Sequence, residues 1–202
     1  MAAPADYMAP SGVCKGWVKI TSMKLFFLAA AAAVALQAQA PNAPVSLISE
    51  IKQNYTSVKN NLTRAAEKMP EEFYSFKPSP DVRTFGEEVA HGADIQTMLC
   101  SMALNKPQQG TAAAKKTKAE LIAALNESNA LCDQAYAVLT DANANEARPF
   151  IRGQRSFAGV LDFNVGHHNE TYGTMVPYMR MKGVVPPSSD NAGAGAAKGK
   201  AK

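Results

Sequence analysis

Apolar residues recur at spacings of three and four in four segments of the chain, and this periodicity is typical of amphipathic helices. The first segment runs from about Val45 to Met69, and its apolar face comprises Leu47, Ile48, Ile51, Tyr55, Val58, Leu62 and Ala65. Comparable periodicity predicts three further helices, over about residues 84–104, 117–139 and 157–182. No segment shows a convincing strand pattern, so the sequence predicts an all-α protein.

Residues that start and stop helices stand at the ends of these segments. Pro70 cannot continue a helix interior and therefore ends the first segment. Thr84 followed by Glu87 forms a capping-box pattern, which predicts the start of the second helix. Gly183 ends the fourth helix, because glycine readily adopts the left-handed conformation that closes many helices. Four amphipathic helices of this length favour an up-down four-helix bundle over residues 41–187.

The N-terminal segment has the pattern of a secretory signal peptide. Lys24 is followed by twelve apolar residues and then by the small-x-small sequence AQA at 38–40. We therefore predict that residues 1–40 are a signal peptide, that translation starts at Met23, and that the mature protein is periplasmic or secreted. Twelve apolar residues are too few for a stable membrane anchor.

The formal net charge of +4 resides at the chain ends, because residues 1–40 and residues 188–202 each carry +2. Residues 188–202 are also poor in apolar side chains, which predicts a disordered basic tail. Residues 41–187 are neutral overall and so lack the basic surface that nucleic-acid binding requires. We therefore predict no nucleic-acid partner.

Export would place Cys100 and Cys132 in an oxidising compartment, whereas Cys14 lies within the predicted signal peptide. An even number of cysteines in such a compartment is compatible with a disulfide. The alternative is two small buried residues on neighbouring helices. The sequence does not supply the Cα separation that would distinguish the two.

The chain contains three histidines, and helical spacing places two of them on predicted inner faces. His91 follows Glu88 by three residues, and His167 precedes Glu170 by three. His168 is turned by about 100° from His167, which predicts a position at the boundary of the core. Imidazole and carboxylate ligands suit zinc, nickel or iron. The alternative is that the histidines are hydrogen-bonded core residues and that Glu88 is a surface residue of the first helical turn.

Two stretches carry a resemblance to a known family. RTFGEEVAHGADIQ, Arg83 to Gln96, and VGHHNETYGTMVPYMRMKGVVPPSS, which begins at Val165, resemble the DinB-like superfamily, and the exported bacterial members most of all. The resemblance implies a four-helix bundle, often a homodimer. It also implies a divalent-metal site of three histidines, with one on the second helix and two in an H-x-x-x-H arrangement on the last helix.

Carrying these ligands over gives a site that departs from the family pattern. The second-helix ligand falls on His91 and the first ligand of the last helix on His167, but the third falls on Thr171. Threonine is a poor ligand for zinc or nickel. We therefore predict a metal site of His91 and His167 in which Glu170 or His168 takes the place of the missing histidine.

The resemblance implies two functional alternatives. Members with an intact metal site include thiol-dependent S-transferases and related enzymes, so one expectation is a metal-dependent protein of the S-transferase or hydrolase type acting on a small molecule. The other is a non-catalytic structural or binding module with a degenerate metal site, which Thr171 favours. The sequence identifies neither a substrate nor the metal, and it leaves open whether the protein is an enzyme.

Overall fold

The computed structural model describes residues 46–190 and confirms the all-α prediction. The four helices are α1 (Leu47–Lys68), α2 (Phe85–Ala103), α3 (Lys118–Val138) and α4 (Phe157–Met181). Their ends lie within two residues of the predicted boundaries. The capping box predicted at Thr84 and Glu87 is present, and Thr117 with Glu120 forms a second one at the start of α3. No helix within the described range is long and apolar enough to span a membrane.

Side-chain contacts between helices give the direction in which each helix runs. Gln96 contacts Ser128, and Cys100 pairs with Cys132, and in both cases the separation is 32 residues. A constant separation means that α2 and α3 run in the same direction. The alternation predicted for an up-down bundle therefore holds between α1 and α2 and between α3 and α4. It does not hold between α2 and α3, because their connection crosses back along the bundle.

The connector between α3 and α4 contains a β-hairpin that the sequence analysis did not predict. Strand β1 (Ala147–Phe150) pairs antiparallel with β2 (Gly153–Ser156), and Gly153 has a φ of 110° at the turn. The Arg155 guanidinium lies 4.4 Å from the ring centroid of Phe150, which stabilises the hairpin. Four-residue strands that contain proline or glycine show no clear alternation, so their pattern is too short to indicate a strand.

The core consists of two apolar clusters with buried polar side chains between them. One cluster includes Leu62, Phe85, Leu125 and Met175, and the other includes Ile51, Cys100, Cys132 and Val160. The polar residues that stand between these clusters along α2, α3 and α4 are Gln96, Ser128, Asn129, His168 and Thr171, and Asn164 lies at the adjoining end of the second cluster. The middle of the bundle is therefore polar, although it is buried.

The folded body extends slightly beyond the predicted boundary at residue 187. Pro187–Ser189 forms a 3₁₀ helix, and Asp190 makes ion pairs with Arg64 and Lys68 of α1. Ser188 exchanges hydrogen bonds with Tyr172 Oη at 2.8 and 2.9 Å. The predicted signal peptide, the start at Met23 and the tail after Asp190 lie outside the described residues.

Candidate metal centre

His91 of α2 and His167 of α4 meet across the interface between these helices. Their Nε2 atoms lie 3.1 Å apart, and their ring centroids are separated by 5.0 Å. Both side chains are partly buried. We call these two residues the histidine pair. The prediction that one histidine from each helix would converge therefore agrees with the structure.

The electrostatic environment of the histidine pair favours neutral imidazole. Burial lowers the pKa of His91, and the charges of Arg83 and His167 lower it further. Burial also lowers the pKa of His167, against the opposing effect of Glu170. Because only the neutral ring presents a free nitrogen lone pair, a lowered pKa keeps both residues in the form that binds metals.

The spacing of the histidine pair fits two ligands of one metal ion. An imidazole nitrogen binds Zn²⁺ at about 2.0–2.1 Å, so two nitrogens on one tetrahedral or octahedral ion are about 2.8–3.4 Å apart. The observed 3.1 Å falls within that range. The same separation allows a hydrogen bond when no metal is bound, with one Nε2 donating and the other accepting. In addition, His167 Nδ1 is buried without a hydrogen-bond partner.

Thr171 occupies the position where the family pattern has its third histidine. Its side chain is buried, and Oγ1 donates a hydrogen bond of 3.0 Å to the backbone oxygen of His167. A Cβ atom added to Gly92 would lie only 3.5 Å from the Thr171 methyl group, so this part of the α2–α4 contact is closely packed. Thr171 therefore fills the space of a ligand without supplying one.

His168 lies in the core, and the prediction that it sits at the boundary is wrong. It is only 1% exposed, and its Nδ1 lies 2.9 Å from the backbone oxygen of Asn164. Since a carbonyl only accepts, Nδ1 carries the proton and Nε2 is left as a buried acceptor without a partner. Burial and the neighbouring His167 lower the pKa of His168 to about 4.

His168 belongs to a group of hydrogen-bonded side chains that lies between the two apolar clusters. Gln96 Nε2 donates to Ser128 Oγ at 2.9 Å and to Asn129 Oδ1 at 2.7 Å, which joins α2 to α3. Asn164 Nδ2 donates to Tyr136 Oη at 3.2 Å, which joins α4 to α3. We call Gln96, Ser128, Asn129, Asn164 and His168 the buried polar layer.

Glu170 lies on the exposed face of α4, in contrast to its predicted role as a ligand. Near this level of α4 the buried residues are Asn164, His168, Thr171 and Met175, so the buried face of the helix passes beside Glu170 rather than through it. Within residues 46–190, no three His, Cys, Asp or Glu side chains lie close enough to hold a metal together. The predicted set of His91, His167, Glu170 and His168 is therefore not assembled.

Glu88 is the acidic residue that the sequence analysis noted without including it in the predicted site. It is 5% exposed and is the one buried Asp or Glu within the described residues. Arg83 Nη1 lies 3.6 Å from its Oε1. The E-x-x-H spacing of Glu88 and His91 was the available signal for a ligand. A glutamate in the first turn of a helix is, however, also typical of an exposed residue that interacts with the helix dipole.

His91 also lines a cavity, to which neither His167 nor any other residue of α4 contributes. The cavity has a volume of about 850 Å³ and lies between the N-terminal halves of α2 and α3 and the loop before α2. Its lining includes basic residues such as Arg83 and Lys115 and acidic residues such as Glu87 and Asp94. Asp94 is already occupied, because it accepts hydrogen bonds from the backbone of the 3₁₀ helix Ala112–Ala114.

Comparison with known proteins gives the same fold. A DinB-like protein from Bacillus cereus aligns with a TM-score of 0.60 at 17% identity, covering 68% of this chain and 93% of its own. A DinB-like protein from Bacillus subtilis aligns with a TM-score of 0.54 at 17% identity, covering 66% and 92% respectively. At this level of identity the two structures establish the fold alone. We found no match among curated protein sequences.

A family model matches the sequence directly. The model of the DinB superfamily covers residues 54–175, which include α2 and α3, most of α1 and α4, the histidine pair and Thr171. Both stretches that carried the resemblance, from Arg83 and from Val165, fall wholly or partly within this range. This chain belongs to the DinB superfamily.

Proposed function

We propose that the protein binds a divalent metal ion through His91 and His167, and that this site serves a reaction of the S-transferase or hydrolase type. The observation that carries the proposal is the 3.1 Å separation of the two Nε2 atoms. Two imidazoles at this distance, neutral at ordinary pH and supplied by two packed helices, provide part of a site with open positions. The cavity gives a substrate access to His91, which lines it.

The residues of the chain have separate parts in this proposal. When bound, the metal would supply Lewis acidity that favours a thiol or water nucleophile at neutral pH. The helices α2 and α4 hold the two imidazoles in place through the surrounding core. Charged residues that line the cavity, such as Lys115, would orient a polar substrate.

A second candidate function is a non-catalytic binding or structural module. The observation that favours it is Thr171, whose hydroxyl is bonded to the backbone of its own helix. With only two protein ligands, the affinity for metal falls below that of a three-histidine site. In this case the hydrogen bond between His91 and His167 would simply join α2 to α4.

Export to the periplasm or the medium is also part of the proposal. The structure joins Cys100 and Cys132 in a disulfide, with their Cα atoms 5.1 Å apart. Both residues are fully buried. Stable disulfides are typical of oxidising compartments and rare in the cytosol of most organisms, which supports export.

The experiment that separates the two functions is a measurement of metal content. The protein is purified without a histidine tag or chelator and analysed for zinc, nickel and iron, beside His91→Ala and the exposed-site control Glu170→Ala. We expect near-stoichiometric metal in the wild type and in the control, and none in His91→Ala. Absence of metal from the wild type, together with no thermal stabilisation by added metal, would favour the non-catalytic module.

A further inference from the structure

We propose that Arg155 of the β-hairpin binds the carboxylate of a small organic acid that has a flat apolar body. The site lies apart from the cavity that His91 lines, since neither Arg155 nor the aromatic residues around it belong to that lining. It involves no metal, so it is independent of the proposed metal-binding function. Three properties of the Arg155 guanidinium support it, namely its packing, its charge and its exposure.

Two aromatic rings hold the Arg155 guanidinium in place. Its central carbon lies 4.4 Å from the ring centroid of Phe150 and 4.9 Å from that of Phe163. The two rings pack edge to face, with their centroids 5.2 Å apart and an angle of 86° between their planes. Phe150 belongs to β1 and Phe163 to α4, so the arginine lies where the hairpin meets the helix. A guanidinium positioned in this way loses less conformational freedom on binding than one on a free side chain.

Among the described residues, no acidic side chain neutralises the charge of Arg155. Directly opposite Arg155 in the hairpin stands Arg148, and like charges in opposite positions destabilise the pairing of two strands. Arg148 is compensated by Glu146, whose Oε2 lies 2.7 Å from its Nη2. The charge of Arg155 has no such partner within the described part of the chain. A bound anion would therefore neutralise it and relieve the repulsion between the two arginines.

The donors of Arg155 are accessible, and apolar surface adjoins them. Arg155 is exposed, and the side-chain hydrogen bonds of the hairpin arginines involve Arg148 instead. Two parallel N–H groups of a guanidinium match the two oxygens of a carboxylate. Phe150 and Phe163 are only partly buried, and Ile151 at the turn is 53% exposed. This apolar surface favours an acid with a flat or aromatic body over a simple inorganic anion.

A cation beside apolar side chains is also typical of surfaces that bind anionic membranes. Such binding requires several basic residues close together. The hairpin contributes only Arg152 and Arg155 beyond the paired Arg148, and residues 41–187 are neutral overall. One guanidinium held by two rings suits a single carboxylate better than an extended charged surface. A small carboxylate is therefore the favoured ligand.

The test follows the Nε–Hε signals of Arg155 and Arg152 by NMR in the full-length protein while benzoate is added. Arg152 serves as the control, because it is an exposed arginine of the same hairpin. We expect benzoate to shift the Arg155 signal saturably, with a dissociation constant on the order of 1 mM, and to leave the Arg152 signal nearly unchanged. Benzamide, a neutral molecule of the same shape, should shift neither signal.

Substitution of each arginine tests whether the binding depends on Arg155. Arg155→Gln should weaken benzoate binding, followed on the proton signals of the ligand, by roughly 10-fold, because hydrogen bonds to a charged group are lost. Arg152→Gln should leave the affinity within about twofold. Equal affinities for the two variants, or a linear shift of both arginine signals in the wild type, would overturn the proposal, since either result means unspecific attraction.

A conservative variant keeps the inference testable if Arg155→Gln disturbs the hairpin. Arg155→Lys retains the charge but lacks the planar pair of donors, so benzoate affinity should fall several-fold, and an unchanged affinity would contradict the bidentate contact. Acetate should bind several-fold more weakly than benzoate, and equal binding would contradict the role of the rings. Binding to anionic phospholipid vesicles that Arg155→Gln abolishes, without any benzoate shift, would overturn the proposal in favour of a membrane surface.

Discussion

Two polar clusters share the interior of this bundle, and they differ in access to solvent and in partners. The buried polar layer is almost inaccessible, and the amide groups of Gln96, Asn129 and Asn164 connect all four helices. The histidine pair is partly exposed, and His91 borders a cavity. The first arrangement stabilises the fold, whereas the second leaves groups available for a ligand.

The adjacent residues His167 and His168 show what separates these clusters. The His167 side chain contacts His91 and is partly exposed. The His168 side chain is buried and donates a hydrogen bond to the backbone of its own helix. One residue along a helix changes direction by about 100°, which here separates a candidate ligand from a core side chain. Residue type alone therefore does not identify the site. Each prediction below tests one of the two clusters, and two of them also test whether the clusters act independently.

The largest expected effect on stability comes from the disulfide beside the buried polar layer. Cys132 Sγ lies 3.7 Å from the Gln96 backbone oxygen, and the disulfide joins residues separated by 32 positions. Replacing both Cys100 and Cys132 by alanine should lower the free energy of unfolding by about 3–4 kcal/mol through loop-closure entropy. Urea unfolding measures this loss, and wild type with its disulfide reduced is the control. Zn²⁺ affinity should stay within about twofold, and a parallel loss of metal binding would show that the clusters are coupled.

Acid should affect the buried polar layer through His168. Its folded pKa is lowered to about 4, so between pH 6.5 and 4 the unfolded chain binds a proton that the folded protein does not. This contribution to stability is present in full above pH 6.5 and is lost as the pH falls, by roughly 3 kcal/mol at pH 4. In chelator, His168→Leu should show a smaller loss than wild type over this range. Equal pH profiles in denaturant unfolding would contradict the assignment.

The bundle itself could be predicted from the sequence, because long segments with a clear period determine which residues are buried. The face of α1 was predicted residue by residue, and six of its seven residues are buried, whereas Leu47 at the start of the helix is 67% exposed. The crossing connection between α2 and α3 could not be predicted, since helical periodicity carries no information about the direction of a neighbour. The pairing of Cys100 with Cys132 depends on that direction.

The site was predicted less completely, because α4 is apolar on more than one side. Helical spacing placed His167 on the predicted inner face, but it is His168, together with Asn164 one turn earlier, that is buried. A polar buried layer conceals the periodicity on which such an assignment depends. Glu88 was ambiguous for a different reason. A glutamate in the first turn of a helix is usually explained by the helix dipole, and its burial depends on tertiary packing that the sequence does not show.

Restoring the family ligand should convert the histidine pair into a stronger metal site. Thr171→His places a third imidazole one helical turn from His167, and we expect Zn²⁺ affinity to rise by roughly 100-fold, equivalent to about 2.7 kcal/mol. The control is Thr174→His, which adds a histidine on the same helix at a partly exposed position. Chelator competition gives both affinities. If the two variants bind Zn²⁺ equally, position 171 has no special relation to the pair.

The smallest effect is expected at Gln96, where two contributions oppose each other. Replacing Gln96 by methionine, which has a similar volume, removes the donor that Ser128 and Asn129 share, and an unpaired buried acceptor costs about 1–3 kcal/mol. The same change also removes Gln96 Oε1, which has no partner in the folded protein, so part of that cost is offset. We therefore expect a loss near 1 kcal/mol in the free energy of unfolding, measured against the exposed control Gln134→Met. Since the substitution lies in the buried polar layer, Zn²⁺ affinity should not change. A clear loss of affinity here would mean that the layer positions the histidine pair, and that the two clusters form one site.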